Sequence, residues 1–262
     1  MELSVDGKTV FAATGGKKFD PAAPAIVFIH GSGGDHTVWA LQTRYFAWHG
    51  SSVLAIDLPG HGRSDGPALE TIDALADWTV RLLDAAGVET AAIVGHSLGA
   101  LVALAAAARY PDRVRAVALL GVAEPMAVHP ELLAASRAED HLAYELITAW
   151  GYARRSHLGG QRMPGMWMTG GTVRLLERSR PGVLAADLAA CEDFVGAPAA
   201  AGKIACPALF VLGANDRMTA PAAAAPLAER IAGSRTILVP DAGHFLMIEQ
   251  PDRTLDALRE IL

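Results

Sequence analysis

The sequence predicts an α/β protein, a mostly parallel sheet covered by helices on both faces. Two observations carry that expectation. Short, continuously apolar runs of strand length recur along the chain, and amphipathic patterns of helix length separate many of them.

Taken in order, residues 3–5 and 8–11 flank Asp6-Gly7, the signature of a tight hairpin. Residues 25–29 form a run with no polar side chain, typical of a strand buried on both faces. Similar runs follow at 52–57, 92–95, 114–120, 208–212 and 236–239. Helical patterns are expected at 39–48, 72–86, 98–109, 222–231 and 252–262. Tyr110-Pro111-Asp112 ends one of them, because proline cannot continue a helix. The alternation lapses over 122–203. That segment is helix-like at both flanks, and Gly159-Gly160, Pro164-Gly165 and Gly170-Gly171 break its middle. It is expected to form a cap, or lid, inserted between core segments 1–121 and 204–262.

Composition narrows the classes. Of 262 residues, 52% are hydrophobic, but 51 are alanine, so much of the apparent greasiness is small filler. A net charge of −6 argues against a nucleic-acid partner. Cys191 and Cys206 have neither metal-ligand spacing nor a CxxC motif, which suits reduced thiols in a cytoplasmic enzyme. Met1-Glu2-Leu3-Ser4-Val5-Asp6 lacks the basic start and apolar run of a signal peptide. Residues 91–108 run 18 residues without a formal charge, the length of a membrane span. Gly95, His96, Ser97 and Gly99 interrupt that run, so a strand, a turn and an alanine-rich buried helix are expected instead, with no membrane partner.

The chemistry centres on Gly95-His96-Ser97-Leu98-Gly99, between a predicted strand and a predicted helix. This G-x-S-x-G arrangement is a nucleophile elbow, whose sharp turn needs glycines on either side of a strained serine. A serine hydroxyl needs a base oriented by an acid. His129, His141 and His157 lie within the insert, whereas His244 follows a strand in a loop of the kind that carries sites in parallel sheets. His244 is therefore the expected base. Asp216, just after the run 208–212, is the expected acid, with Glu124 as its rival. Asp241 lies too close in sequence to His244. Two donors are needed for the oxyanion: the backbone N–H of Leu98, and that of Ser32 in His30-Gly31-Ser32-Gly33-Gly34. That glycine loop does not fit a dinucleotide site, since His36 stands where G-x-G-x-x-G needs glycine.

With these residues in view the chain resembles an α/β-hydrolase fold enzyme, specifically a capped, serine esterase-like member. The resemblance rests on His30-Gly31-Ser32-Gly33, Asp57-Leu58-Pro59-Gly60-His61-Gly62-Arg63-Ser64, the 95–99 motif, Asp216 and Gly243-His244, and spans nearly the whole chain outside the insert. It implies an eight-stranded sheet, a cap after the sixth strand, and a Ser-His-Asp triad without metal or cofactor. Some related enzymes take their acid from the strand before Glu124, which keeps that rival in play. His61 and Arg63 belong to a segment that is usually structural in such enzymes. The implied activity is hydrolysis of carboxylic esters. Lactonase, thioesterase, C–C hydrolase, perhydrolase or haloperoxidase chemistry and a ligand receptor stand as alternatives.

Met163, Met166 and Trp167 in the insert, with Phe245 beside His244, are expected to line an apolar pocket. Six arginines against Glu177 within 154–180 suggest attraction for an anionic substrate. The substrate is a small molecule on this reading, and the sequence leaves the oligomeric state open.

Overall fold

The computed structural model describes residues 1–160 and 165–262. Its eight strands are β1 (Glu2–Val5), β2 (Lys8–Ala13), β3 (Ala25–Ile29), β4 (Ser52–Ile56), β5 (Ala91–His96), β6 (Val114–Leu120), β7 (Ala208–Gly213) and β8 (Arg235–Val239). They form one sheet in the order β1-β2-β4-β3-β5-β6-β7-β8. β1 and β2 are the expected hairpin, and Asp6 and Gly7 both take the positive φ (52° and 74°) that a twisted two-residue turn requires. β2 meets β4 antiparallel, and every later pairing is parallel.

The central strands are apolar throughout because both faces are covered. Within β3, Val27 and Ile29 join one hydrophobic cluster while Ile26 and Phe28 join the other, the two-residue period of a pleated strand. The first face packs helices Ile72–Ala85 and Leu98–Arg109. The second packs Trp39, Phe46, Leu246, Met247 and Leu258. Ala100, Ala103, Ala105, Ala106 and Ala107 are at most 1% exposed, so short side chains let the helix after Ser97 seat closely against its neighbours. The uncharged run 91–108 is therefore β5, a turn and this buried helix. No helix among the described residues is long and apolar enough to cross a membrane.

Three sequence expectations change. The 222–231 pattern is a 3-10 turn, Pro221–Ala224, then one α-turn, Ala225–Ala228, with Pro226 in its first turn where the missing N–H is tolerated. The last helix starts at Pro251 and ends at Leu258. Gly170-Gly171 lies inside helix Met168–Glu177 instead of breaking it. The reason is packing: a Cβ on Gly170 would sit 2.4 Å from the ring of Trp167.

Between β6 and β7 the chain forms helices Pro130–Arg137, Leu142–Gly151, Arg154–His157, Met168–Glu177, Val183–Asp193 and Ala197–Ala201. Leu132, Ala135, Ala143, Ile147, Leu176, Leu184 and Leu188 form a small core there, against which Met218 and Phe245 pack from the loops after β7 and β8. A buried carboxylate ties this segment down. Glu249 accepts from Ala153 N (2.9 Å), Ser156 Oγ (2.6 Å) and Gly243 N (2.8 Å).

Candidate active site

Ser97 sits at φ 55° and ψ −118°, between the end of β5 and the first turn of helix Leu98–Arg109. A non-glycine residue pays for such a conformation, and the flanking contacts hold it there. A Cβ on Gly95 would fall 1.9 Å from the carbonyl oxygen of Gly99, and one on Gly99 would fall 2.5 Å from that of Ile29. Only glycine fits at either position. Ser97 N donates to Leu120 O at 2.9 Å, which ties the elbow to β6.

The loop after β3 lies directly against the serine, since a Cβ on Gly31 would stand 3.1 Å from Ser97 Cβ. Leu98 is the first helical residue, so its N–H has no intrahelical acceptor. Among the described residues neither Leu98 N nor Ser32 N donates to a protein acceptor. Leu98 N lies at the positive end of the helix that follows Ser97, and Ser32 lines the same cavity as Ser97.

His244 Nδ1 donates to Asp216 Oδ2 at 2.8 Å, with both side chains at most 3% exposed. Asp216 is itself saturated. Its Oδ1 accepts from Met218 N and Thr219 N, each at 2.9 Å, and its Oδ2 accepts from Thr219 Oγ1 at 2.7 Å. Burial opposes ionisation of Asp216, but the neighbouring His244 and these hydrogen bonds outweigh it and hold the carboxyl below its ordinary range. Gly121, at φ 57°, leaves room for the imidazole, because a Cβ there would lie 3.0 Å from it. Glu124 makes no hydrogen bond to His244 among the described residues: it is half-buried, and the charge that bears on it is that of Arg230. The structure thus pairs His244 with Asp216.

Ser32, Ser97 and His244 line one cavity of about 610 Å³, together with Met126, Leu132, Trp150, Leu188, Arg217 and Met218. Phe245 lines a narrow extension of it beside Leu175 and Leu176. The other pocket candidates fare differently. Trp167 is 75% exposed and covers Gly170, and Met166 lines neither the Ser97 cavity nor its extension. Met163 lies outside the described residues. Met126, Trp150 and Leu188 went unread because each sits in a helical or loop stretch whose apolar pattern also fits ordinary packing. Arg162 lies outside the described residues, and three of the other cap arginines sit elsewhere. Arg154 and Arg155 line a separate cavity, and Arg174 pairs with Glu177 at 2.6 Å. Among the described residues, Arg217, from the core, is the guanidinium on the Ser97 cavity, which His129 also lines.

Cys191 reaches this cavity with Sγ 4.0 Å from Ser32 Oγ, but burial pushes its thiol up to about 12, so it is no thiolate nucleophile. Asp35, His36 and Asp57 cluster closely enough to suggest a cation site. The Asp57 carboxylate is already spent on His36 N (2.8 Å), His36 Nδ1 (2.7 Å) and Arg63 N (2.9 Å). It holds its own turn together.

A family model described as the alpha/beta hydrolase fold matches residues 24–251, and the chain belongs to that family. It is 34% identical to a pimeloyl-[acyl-carrier protein] methyl ester esterase from Chromobacterium violaceum, over 91% of this chain and 94% of that one. A 41% identical match to the dihydrolipoyllysine-residue acetyltransferase component of the acetoin cleaving system of Cupriavidus necator spans 44% of this chain and only 30% of that protein. Among solved structures, an enol-lactonase from Burkholderia xenovorans superposes with a TM-score of 0.88 at 26% identity, covering 100% of this chain and 99% of that one.

Proposed function

We propose that the chain is a serine hydrolase cleaving carboxylic esters of small to medium, partly apolar substrates through an acyl-enzyme on Ser97. The observation that carries this reading is the convergence of Ser97, His244 and Ser32 on one cavity, with Asp216 hydrogen-bonded behind His244. Ser97 Oγ bonds to the ester carbon as the carbonyl opens, and His244 Nε2 takes the hydroxyl proton. Asp216 keeps the ring oriented and balances the imidazolium. The Ser32 and Leu98 N–H groups receive the oxyanion, each contributing on the order of 3 kcal/mol. Collapse breaks the ester C–O bond, and His244 returns the proton to the leaving alcohol. Water then repeats the sequence on the acyl-enzyme and releases the acid.

Residues 122–203 act as the cap in this reading and supply most of the apolar wall. Among the described residues no carboxylate lines the cavity and Arg217 does, which favours esters carrying a negative group away from the reacting carbonyl. Lactones fall within the same chemistry, and the likeness to an enol-lactonase makes them the second substrates to try.

The test is a p-nitrophenyl ester panel of increasing acyl length, then lactones and thioesters, alongside fluorophosphonate labelling. Steady-state ester turnover is expected, with labelling abolished in Ser97→Ala. Labelling that persists in that variant rejects the nucleophile, and labelling without turnover of any ester favours a receptor.

A further inference from the structure

One buried ion pair joins the inserted segment to the loop beside the nucleophile. Asp187, on helix Val183–Asp193, is 1% exposed, and His61, in the turn after β4, is 2% exposed. His61 Nδ1 donates to the Pro59 carbonyl at 3.0 Å, and Nε2 donates to Asp187 Oδ2 at 2.8 Å. Both ring nitrogens face acceptors, so both carry protons and the ring is an imidazolium. Burial opposes that charge, but the Asp187 carboxylate outweighs it and raises the His61 pKa.

The same Asp187 Oδ2 accepts the N–H of Gly33 at 2.7 Å. Gly33 holds φ 65°, which a side chain would resist, and it directly follows Ser32. Its N–H belongs to the rigid peptide that joins it to Ser32, so fixing that group fixes one of the two soft torsions on Ser32. The other end of the loop is also tied. His30 accepts from Leu58 N at 3.2 Å and donates from Nδ1 to Gly31 O at 2.8 Å, with its ring 4.8 Å from that of His61.

We propose that Asp187, braced by His61, is a positioning residue that aims the Ser32 N–H at the oxygen of the tetrahedral intermediate. The inserted segment then builds part of the oxyanion hole from a distance as well as walling the cavity. An oxyanion donor works only if it stands in place before charge develops, and small misplacements are expensive. This inference rests on the ester-hydrolase reading of Ser97.

The test compares Asp187→Ala and Asp187→Asn with Glu192→Gln. Glu192 accepts from Val128 N and anchors the same helix without touching Gly33. Each protein is assayed for kcat and KM on p-nitrophenyl butyrate, for inhibition by phenylboronic acid, and for thermal unfolding. The boronate bonds to Ser97 Oγ and presents a tetrahedral anion to the oxyanion donors. Asp187→Ala is expected to lower kcat about 10- to 100-fold with KM within about threefold, and to weaken the boronate by the same factor as kcat. Asp187→Asn keeps an oxygen acceptor but removes the counter-ion of His61, so a loss of about three- to tenfold is expected in both readouts. Glu192→Gln should move neither.

Boronate affinity left intact while kcat falls, or a Glu192→Gln loss equal to that of Asp187→Ala, overturns the proposal. If Asp187→Ala does not fold, Asp187→Asn decides, and wild-type kcat and boronate affinity in that variant overturn it too. Wild-type protein that neither cleaves esters nor binds the boronate overturns the ester reading, and this inference with it.

Discussion

His96 Nε2 donates to the main-chain carbonyl of His244 at 2.9 Å, so the residue preceding the proposed nucleophile holds the backbone of the proposed base. The two rings lie 4.6 Å apart. Burial drives the His96 pKa well below its ordinary value, which keeps the ring neutral with Nε2 as its donor. Substituting His96→Ala strands a buried carbonyl, a penalty of about 1–3 kcal/mol. A fall in Tm with a roughly tenfold loss of kcat is expected. Unaltered melting and turnover would show that the bond does nothing.

The pairing of His244 with Asp216 predicts an asymmetry between the two candidate acids. Asp216→Asn should lower kcat about 10⁴-fold, since it leaves the shape but upsets the tautomer of the base. Glu124→Gln should stay within about threefold, because its side chain lies outside the His244 hydrogen-bond set. Steady-state kinetics on a p-nitrophenyl ester checks both, and a reversal of the order would move the acid to the end of β6.

Two glycines should answer oppositely to alanine. At Gly95 the new Cβ meets the Gly99 carbonyl at 1.9 Å, backbone against backbone. Destabilisation of more than about 4 kcal/mol is expected there, read as loss of soluble protein or of the urea midpoint. Gly171 lies within helix Met168–Glu177 and has nothing within 4 Å of the new methyl. Alanine there should stabilise by about 0.5–1 kcal/mol. A destabilised Gly171→Ala would mean that the helix is not formed as described.

The His61–Asp187 pair predicts a pH signature. The folded pKa of His61 is raised, so its stabilisation is complete below the unfolded value of about 6.5 and fades as pH rises through the folded value. Asp57 also favours the charge, while the His30 ring faces it from the loop after β3. Wild type should therefore exceed His61→Gln in Tm by the widest margin near pH 6 and by less in the alkaline range. A margin that grows with pH contradicts the charged assignment.

The place of Arg217 on the cavity predicts a preference that matched substrates can read. A methyl ester bearing a distal carboxylate should be cleaved with higher kcat/KM than its neutral analogue of equal length. Because the guanidinium is exposed, the advantage should be about fivefold and shrink as salt is added. Arg217→Ala should abolish it without changing the neutral ester. An advantage that survives the substitution assigns the preference to another group.

Much of the fold was legible because its rules are local. β3 and β6 lie on their sequence-predicted runs, and the Asp6-Gly7 turn announced the first hairpin. The elbow was legible for the same reason, since a strand, a G-x-S-x-G and a helix follow one another without a gap. The terminal helices were harder, because alanine at 222–225 satisfies a helical pattern that Pro226 interrupts. Gly170 was misread because a ring from three residues upstream fills the space that a side chain would take. The cavity wall was least legible. Leu188 lines the cavity only because its helix packs beside the one that follows Ser97, and Asp187 meets Gly33 from a loop more than half the chain away. Neither relationship leaves a mark in local sequence.

Asp187 and Leu188 are neighbours with separate duties. One is bound through its carboxylate to backbone and imidazolium, and the other presents only a hydrocarbon face to the cavity. Glu249 makes the same kind of commitment on the base side, while Met126, Leu132 and Trp150 enter the cavity wall as side chains alone. Selectivity and chemistry are thus written in different alphabets along this stretch, one of exchangeable side chains and one of fixed main-chain anchors. On the proposed function, a substitution in the cavity wall changes which substrate fits while the main-chain anchors stay in place.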